Sequence, residues 1–281
     1  MNILKKSDPK IIRGLNLSIE MQDITISYND VGEGSTPIIF LHGFPFDKSS
    51  WQPQISYFQK TNRVIAYDIR GFGKSTSGNI KESISLFADD LIYFMDGLKI
   101  EKAIVCGLSM GGYILLNAMA RFPERFEALI LSDTQCLSDS PEMKEKRNQS
   151  IKKINENGYP EFAENFVKAV FCAETIKTKL EVVEKIKHVI LSTSPKTVIG
   201  TLNALAQRWE MCTSLINIAV PVLIICGTED KVTPLAQSEY LHDNIANSTL
   251  HSIANAGHMS NLEQPEEFNR HVEDFISAIS N

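Results

Sequence analysis

Cysteine is scarce and unpatterned. Five residues in 281, Cys106, Cys136, Cys172, Cys212 and Cys226, form no CxxC pair and have no histidines at ligand spacing. That excludes a zinc ribbon and gives no disulfide framework, so a reduced chain without a metal is expected. Basic runs are absent too: Lys and Arg number 28 against 34 Asp and Glu, a net charge of -6, which argues against nucleic acid as a partner. No run reaches the roughly 18 apolar residues of a membrane span, and the amino terminus lacks the apolar stretch of a secretory signal. The expectation is a cytoplasmic protein that does not engage a membrane. No internal repeat or low-complexity segment occurs. A composition of 43% hydrophobic and 22% charged residues is globular, and the length suits one large domain or two small ones.

Apolar patterning separates the elements. LNLSIEM and ITISYNDVG alternate apolar with polar residues, as in a half-exposed antiparallel pair at a sheet edge. Five nearly continuous apolar runs follow, at 37–43, 63–68, 102–107, 127–133 and 220–227, each ending in Gly, Asp or His, as parallel strands covered on both faces do. STLHSI is a weaker last member. Helical stretches lie between them: one capped by Ser83, one from Met110, one after Thr233 as N-cap with Pro234, and one opened by Pro265. Alternation of strand and helix indicates an α/β fold with a mostly parallel sheet. Between 134 and 207 no strand is evident. Phe162, Phe166 and Val170, then Val182, Ile186 and Ile190, recur at helical spacing, and Ser194-Pro195 marks another helix start. Four helices are expected there, inserted into a core of 1–133 and 208–281.

The sharpest local signal is Gly107-Leu108-Ser109-Met110-Gly111, set where an apolar strand ends and a helix begins. That context fits a nucleophile elbow, whose glycines leave room for a sharp turn. A serine needs a base and a group that orients the base. Asp230 and His258 follow at later strand ends, in the order Ser, Asp, His. Asp133 also ends a strand and is the competing acid, while Glu229 reads as a surface carboxylate. GFGKS imitates a phosphate loop, but position 68 is Asp where that motif requires Gly. Cys106 reads as a small buried hydrophobe, and His188, His242, His251 and His271 as ordinary histidines.

GLSMGG, LHGFP (41–45), YDIRGFGKS (67–75), GTEDKVTP and AGHMSNLEQPEEF together resemble the α/β-hydrolase superfamily over nearly the whole chain. The wording is most similar to carboxylesterases and 3-oxoadipate enol-lactonase-like hydrolases. The resemblance implies an eight-stranded, mostly parallel sheet with a helical cap inserted after strand six. It implies Ser109 as nucleophile, His258 as base and Asp230 as its partner. Backbone N–H groups of Phe44 and Met110 would form the oxyanion hole, with His42, Asp68 and Arg70 fixing loops. No cofactor and no metal are implied. The activity implied is hydrolysis of small to medium carboxylic esters or lactones through an acyl-enzyme, on a small-molecule substrate. A slow-turnover small-molecule receptor and a cofactor-free haloperoxidase or perhydrolase use the same fold and stay open. The pocket is expected to draw on Phe46, Leu137, Phe162, Phe166, Phe171, Trp209 and Met259. Arg208 is the candidate cation for an anionic lactone.

Overall fold

The structure, a computed structural model, describes residues 13–279, so the expectation about a secretory signal falls largely outside it. Eight strands form one sheet in the order β1-β2-β4-β3-β5-β6-β7-β8. β1 (Gly14–Met21) and β2 (Ile24–Val31) pair antiparallel, and β2 runs antiparallel to β4 (Val64–Tyr67). From there on, through β3 (Ile38–Leu41), β5 (Ala103–Leu108), β6 (Phe126–Ser132), β7 (Val222–Gly227) and β8 (Ser248–Ile253), every pairing is parallel. Successive strand side chains point to opposite faces, yet every residue of β3, β4, β5 and β7 is buried. Both faces must therefore be covered, which is why these strands read as continuous apolar runs. α1 (Gln52–Phe58) packs on α11 (Pro265–Ile279), and α2 (Ile84–Gly97) on α3 (Met110–Arg121). The Ser83 hydroxyl accepts from Leu86 N at 3.0 Å and caps α2, as its sequence position suggests. Among the described residues no helix is long and apolar enough to cross a membrane.

Between 134 and 207 the chain makes five α-helices, not four: α4 (Pro141–Asn157), α5 (Tyr159–Val170), α6 (Ala173–Thr178), α7 (Leu180–Ser192) and α8 (Pro195–Ala206). The extra one, α6, has six residues, too few to show an apolar period, and is capped by the Cys172 sulfur, which accepts from Thr175 N. α9 (Leu235–Asn244) starts one residue later than expected, with Pro234 and not Thr233 at its cap position, because the Thr233 hydroxyl is engaged elsewhere.

The expectation of a wholly reduced chain is corrected as well: Cys136 and Cys212 form a disulfide across a separation of 76 residues. The five helices leave the sheet after β6 and return to β7, its neighbour, so both ends of the excursion meet at one place. The backbone bond from Met211 N to Cys136 O closes the same neck. Cross-linking a loop of that length stabilises a fold by up to about 4 kcal/mol. A reductant should therefore lower the Tm of the parent by several degrees and leave a Cys136→Ser/Cys212→Ser variant, already destabilised, unmoved. Equal Tm values with and without reductant in the parent would refute the clamp.

Candidate active site

Ser109 stands between β5 and α3 with φ 51°, a left-handed conformation that non-glycine residues rarely take. The turn closes so tightly that a Cβ on Gly107 would come 2.5 Å from Gly111 C, and one on Gly111 would come 2.4 Å from Leu41 O. Glycine at both positions is thus a condition of the elbow. The turn lifts the Ser109 hydroxyl toward the loop after β8, where its Oγ lies 2.8 Å from His258 Nε2. His258 Nδ1 lies 2.7 Å from Asp230 Oδ2, in the loop after β7. A carboxylate accepts only, so Nδ1 carries the proton and Nε2 of the neutral ring is left to accept from serine. The sequence candidates Ser109, Asp230 and His258, whose ends are 149 residues apart, meet in a single hydrogen-bonded chain. A hydroxyl in such a chain can pass its proton to the imidazole as it attacks a carbonyl carbon.

The electrostatics favour that transfer. Burial pushes the His258 pKa down, but the Asp230 charge and hydrogen bond, helped by Asp133 and Glu263, override it and hold the imidazole above its usual value. For Asp230, burial acts upward, and His258 together with Thr233 overcomes it, so the carboxyl stays below its ordinary range. Val232 N and Thr233 N donate to Asp230 Oδ1 at 2.8 and 3.0 Å, and the Thr233 hydroxyl donates to Oδ2 at 2.7 Å. Thr233 was thus a missed member of the site. Its Thr-Pro context resembles a helix cap, and only the turn after β7 shows which group the hydroxyl serves.

Asp133, the competing acid, lies close by but faces other donors: Gly227 N at 2.9 Å, the Ser132 hydroxyl at 2.8 Å and the Ser260 hydroxyl at 2.5 Å. Asp133, Cys226 and Asp230 bring one ligand atom each within 4.8 Å of one another. All four carboxylate oxygens there already accept hydrogen bonds, so the cluster is a hydrogen-bonded one and not a vacant cation cradle. Burial, and then repulsion by Asp230, raise the Asp133 carboxyl from 3.8 to about 7. Below about pH 4 the folded and unfolded chains both hold this proton; between about 4 and 7 only the folded chain does, so stability falls as pH rises through that window. Asp133→Asn keeps an acceptor for Gly227 and offers donors to the two serines. Its Tm gain over the parent is expected to be small at pH 4.5 and several degrees at pH 8. An identical difference at both pH values would show that this carboxyl does not titrate as stated.

The loop after β3 approaches the elbow closely: a Cβ on Gly43 would lie 3.3 Å from Ser109 Cβ. Met110 opens α3, so its N–H has no carbonyl one turn back, and among the described residues Phe44 N–H has no acceptor. His42 fixes this loop. Its Nε2 accepts from Ile69 N at 3.0 Å and its Nδ1 donates to Gly43 O at 2.9 Å, while full burial lowers its pKa and keeps it neutral. Asp68 accepts from Lys48 N, Lys48 Nζ and Lys74 N, and Arg70 grips Asp90 with two nitrogens, so both fix loops.

The expected pocket is brought together in part. Phe44 lies 6.4 and 5.8 Å from Phe162 and Phe166, ring centre to ring centre, and Phe46 lies 6.0 Å from Phe166. Phe171 and Met259 are buried as well. Leu137 and Trp209 are not inward: they are 36% and 78% exposed. Trp209 instead lines a separate cavity of about 250 Å³, together with Tyr113, Asn117 and Arg208. The short segment between α8 and the neck disulfide turns it outward. Arg208 is buried, but its guanidinium is ion-paired with Asp139, bonded to Leu137 O and Leu205 O, and set 4.4 Å over the Tyr113 ring. Four of its five N–H groups are engaged, one of them by the Asp139 carboxylate that balances its charge, so the expected role of Arg208 as a substrate cation is withdrawn.

The sequence profile described as alpha/beta hydrolase fold matches residues 36–178 and 199–265. The chain belongs to that family. It is 34% identical to 3-oxoadipate enol-lactonase 2 of Acinetobacter baylyi, over 91% of this chain and 94% of that protein. Among solved structures, a thermophilic esterase from Thermogutta terrifontis superposes with a TM-score of 0.88 at 31% identity, covering 92% of this chain and 95% of its own. The enol-lactonase from Burkholderia xenovorans superposes at 0.87 with 28% identity, covering 93% and 100%. This alpha/beta hydrolase is therefore similar to both esterases and enol-lactonases.

Proposed function

We propose that this alpha/beta hydrolase cleaves small to medium, uncharged carboxylic esters and lactones through an acyl-enzyme on Ser109. One observation carries the reading: the unbroken contact from Ser109 Oγ to His258 at 2.8 Å and from His258 to Asp230 at 2.7 Å, at the tip of a strand-turn-helix elbow. Ser109 Oγ attacks the carbonyl carbon while His258 Nε2 takes its proton. The oxyanion is met by the N–H groups of Met110 and Phe44, and each such donor lowers the barrier by about 3–4 kcal/mol. Collapse expels the alkoxide, which receives the proton from His258. Water then repeats the sequence against the acyl-enzyme and frees Ser109. Asp230 holds the ring and stabilises its cation without itself taking the proton.

The aromatic wall of Phe44, Phe46, Phe162 and Phe166 suits an apolar acyl group, and the helices of 134–207 that supply half of it act as a cap. The commitment of Arg208 to Asp139 favours neutral substrates. The test is pre-steady-state hydrolysis of short p-nitrophenyl esters together with labelling of Ser109 by a fluorophosphonate. A burst of one nitrophenol per chain, with stoichiometric labelling, is expected. A neutral lactone should be opened faster than one bearing a carboxylate. Absence of both burst and label would refute the proposal.

A further inference from the structure

Glu263 ends the short helix α10 (Ser260–Glu263), five residues after His258, and is fully buried. Its Oε1 accepts from Gly257 N at 2.7 Å and from Met259 N at 3.4 Å, the residues on either side of His258. Its Oε2 accepts from Cys172 N at 2.8 Å, in the turn between α5 and α6 of the insertion. His258 N itself donates to Val170 O at 2.8 Å, at the end of α5. The two backbones touch so closely that a Cβ on Gly257 would come 2.8 Å from Cys172 N. The other part of α5 carries Phe162 and Phe166, which pack on Phe44 and Phe46 of the loop after β3. One helix of the insertion thus touches both the histidine loop and the oxyanion loop.

We infer that Glu263 is a positioning residue for the hydrolysis proposed above: it clamps the backbone flanking His258 to the α5–α6 turn, so the aim of the imidazole at Ser109 is set by the insertion. The inference rests on that proposed reaction. A neutral or shorter side chain cannot replace the clamp, because three N–H groups from two chain segments converge on one carboxylate in a site without water access. The charged groups facing His258 are Asp230 after β7, Asp133 after β6 and Glu263 on α10, and all three act to raise its pKa. Losing the charge of Glu263 therefore moves the imidazole downward.

Glu263→Gln in the full chain is the test, because the amide is isosteric but turns one acceptor into a donor aimed at another N–H. The expected outcome is a loss of roughly 10- to 100-fold in kcat on a short p-nitrophenyl ester, as for a small misalignment of a reacting group, with KM within about twofold. The acid limb of the kcat profile should move to lower pH. By NMR, the His258 imidazole should titrate at lower pH than in the parent, and the Cys172 and Gly257 amides should exchange faster. If Glu263→Gln does not fold, Glu263→Asp, which keeps the charge but cannot reach both segments, is read by the same measurements and should show the faster exchange and the kcat loss. A folded variant with parental kcat, parental His258 titration and parental exchange overturns the inference. Failure of the parent to burst or label, with the NMR changes present, supports the clamp and retires only the hydrolytic reading.

Discussion

Ser109→Ala is expected to lower kcat for ester hydrolysis by about a millionfold, the scale seen when the nucleophile of a serine hydrolase is removed. His258 and Asp230 would remain in place but would have no hydroxyl to activate, and water at the vacated position would lack the fixed attack geometry. The fold should hardly notice. The Ser109 side chain gives α3 no capping bond, so its loss does not fray that helix. Its backbone carbonyl, which accepts from Gly112 N, Tyr113 N and the Thr134 hydroxyl, is retained. Alanine at φ 51° is about as strained as serine. The measurement is kcat by a continuous nitrophenol assay beside Tm by calorimetry. A Tm within a few degrees of the parent with activity at background is the expected pair. Activity within tenfold of the parent would mean that another group performs the attack, and the acyl-enzyme mechanism would fall.

Much of this is legible in the sequence, and the reason is physical. Strands covered on both faces must be apolar at every position, so 37–43 and 220–227 announce themselves without an alternating pattern. The elbow is readable because backbone crowding at Gly107 and Gly111 permits no other residue. Other features depend on where distant segments land. Cys136 and Cys212 carry no local sign of pairing, since only the adjacency of β6 and β7 brings them together. Arg208 looked like a substrate cation because a charge in sequence shows no partner; Asp139, 69 residues earlier, is the partner. Trp209 looked like pocket lining because a large apolar residue is presumed inward, yet a short connecting segment left it exposed. Glu263 sits inside a stretch that reads as an ordinary helix start, and its three backbone donors come from loops that no periodicity describes.

Asp230→Asn is expected to lower kcat by about ten-thousandfold at pH 7, with the triad geometry intact. The side-chain amide can donate to His258 Nδ1, which then accepts, and the ring proton moves to Nε2. That nitrogen can no longer take the proton of Ser109. The cation formed during attack also loses its nearest negative charge. Asp133 does not rescue the variant, although one of its oxygens lies within 4.8 Å of Asp230, because it is already bound to Gly227 N, Ser132 and Ser260. The two carboxyls are coupled through charge, however. Repulsion from Asp230 is the second cause that holds Asp133 up at about 7, so removing that charge lowers the Asp133 pKa. The window over which Asp133 destabilises the fold must then contract, and Asp230→Asn should lose less stability than its parent between pH 5 and 8 while losing most of its activity. Rate against pH and Tm against pH, measured on the same two proteins, separate these effects. A loss of less than about a hundredfold in kcat would assign the orienting role to Asp133, which has a ligand atom within 4.8 Å of one on Asp230.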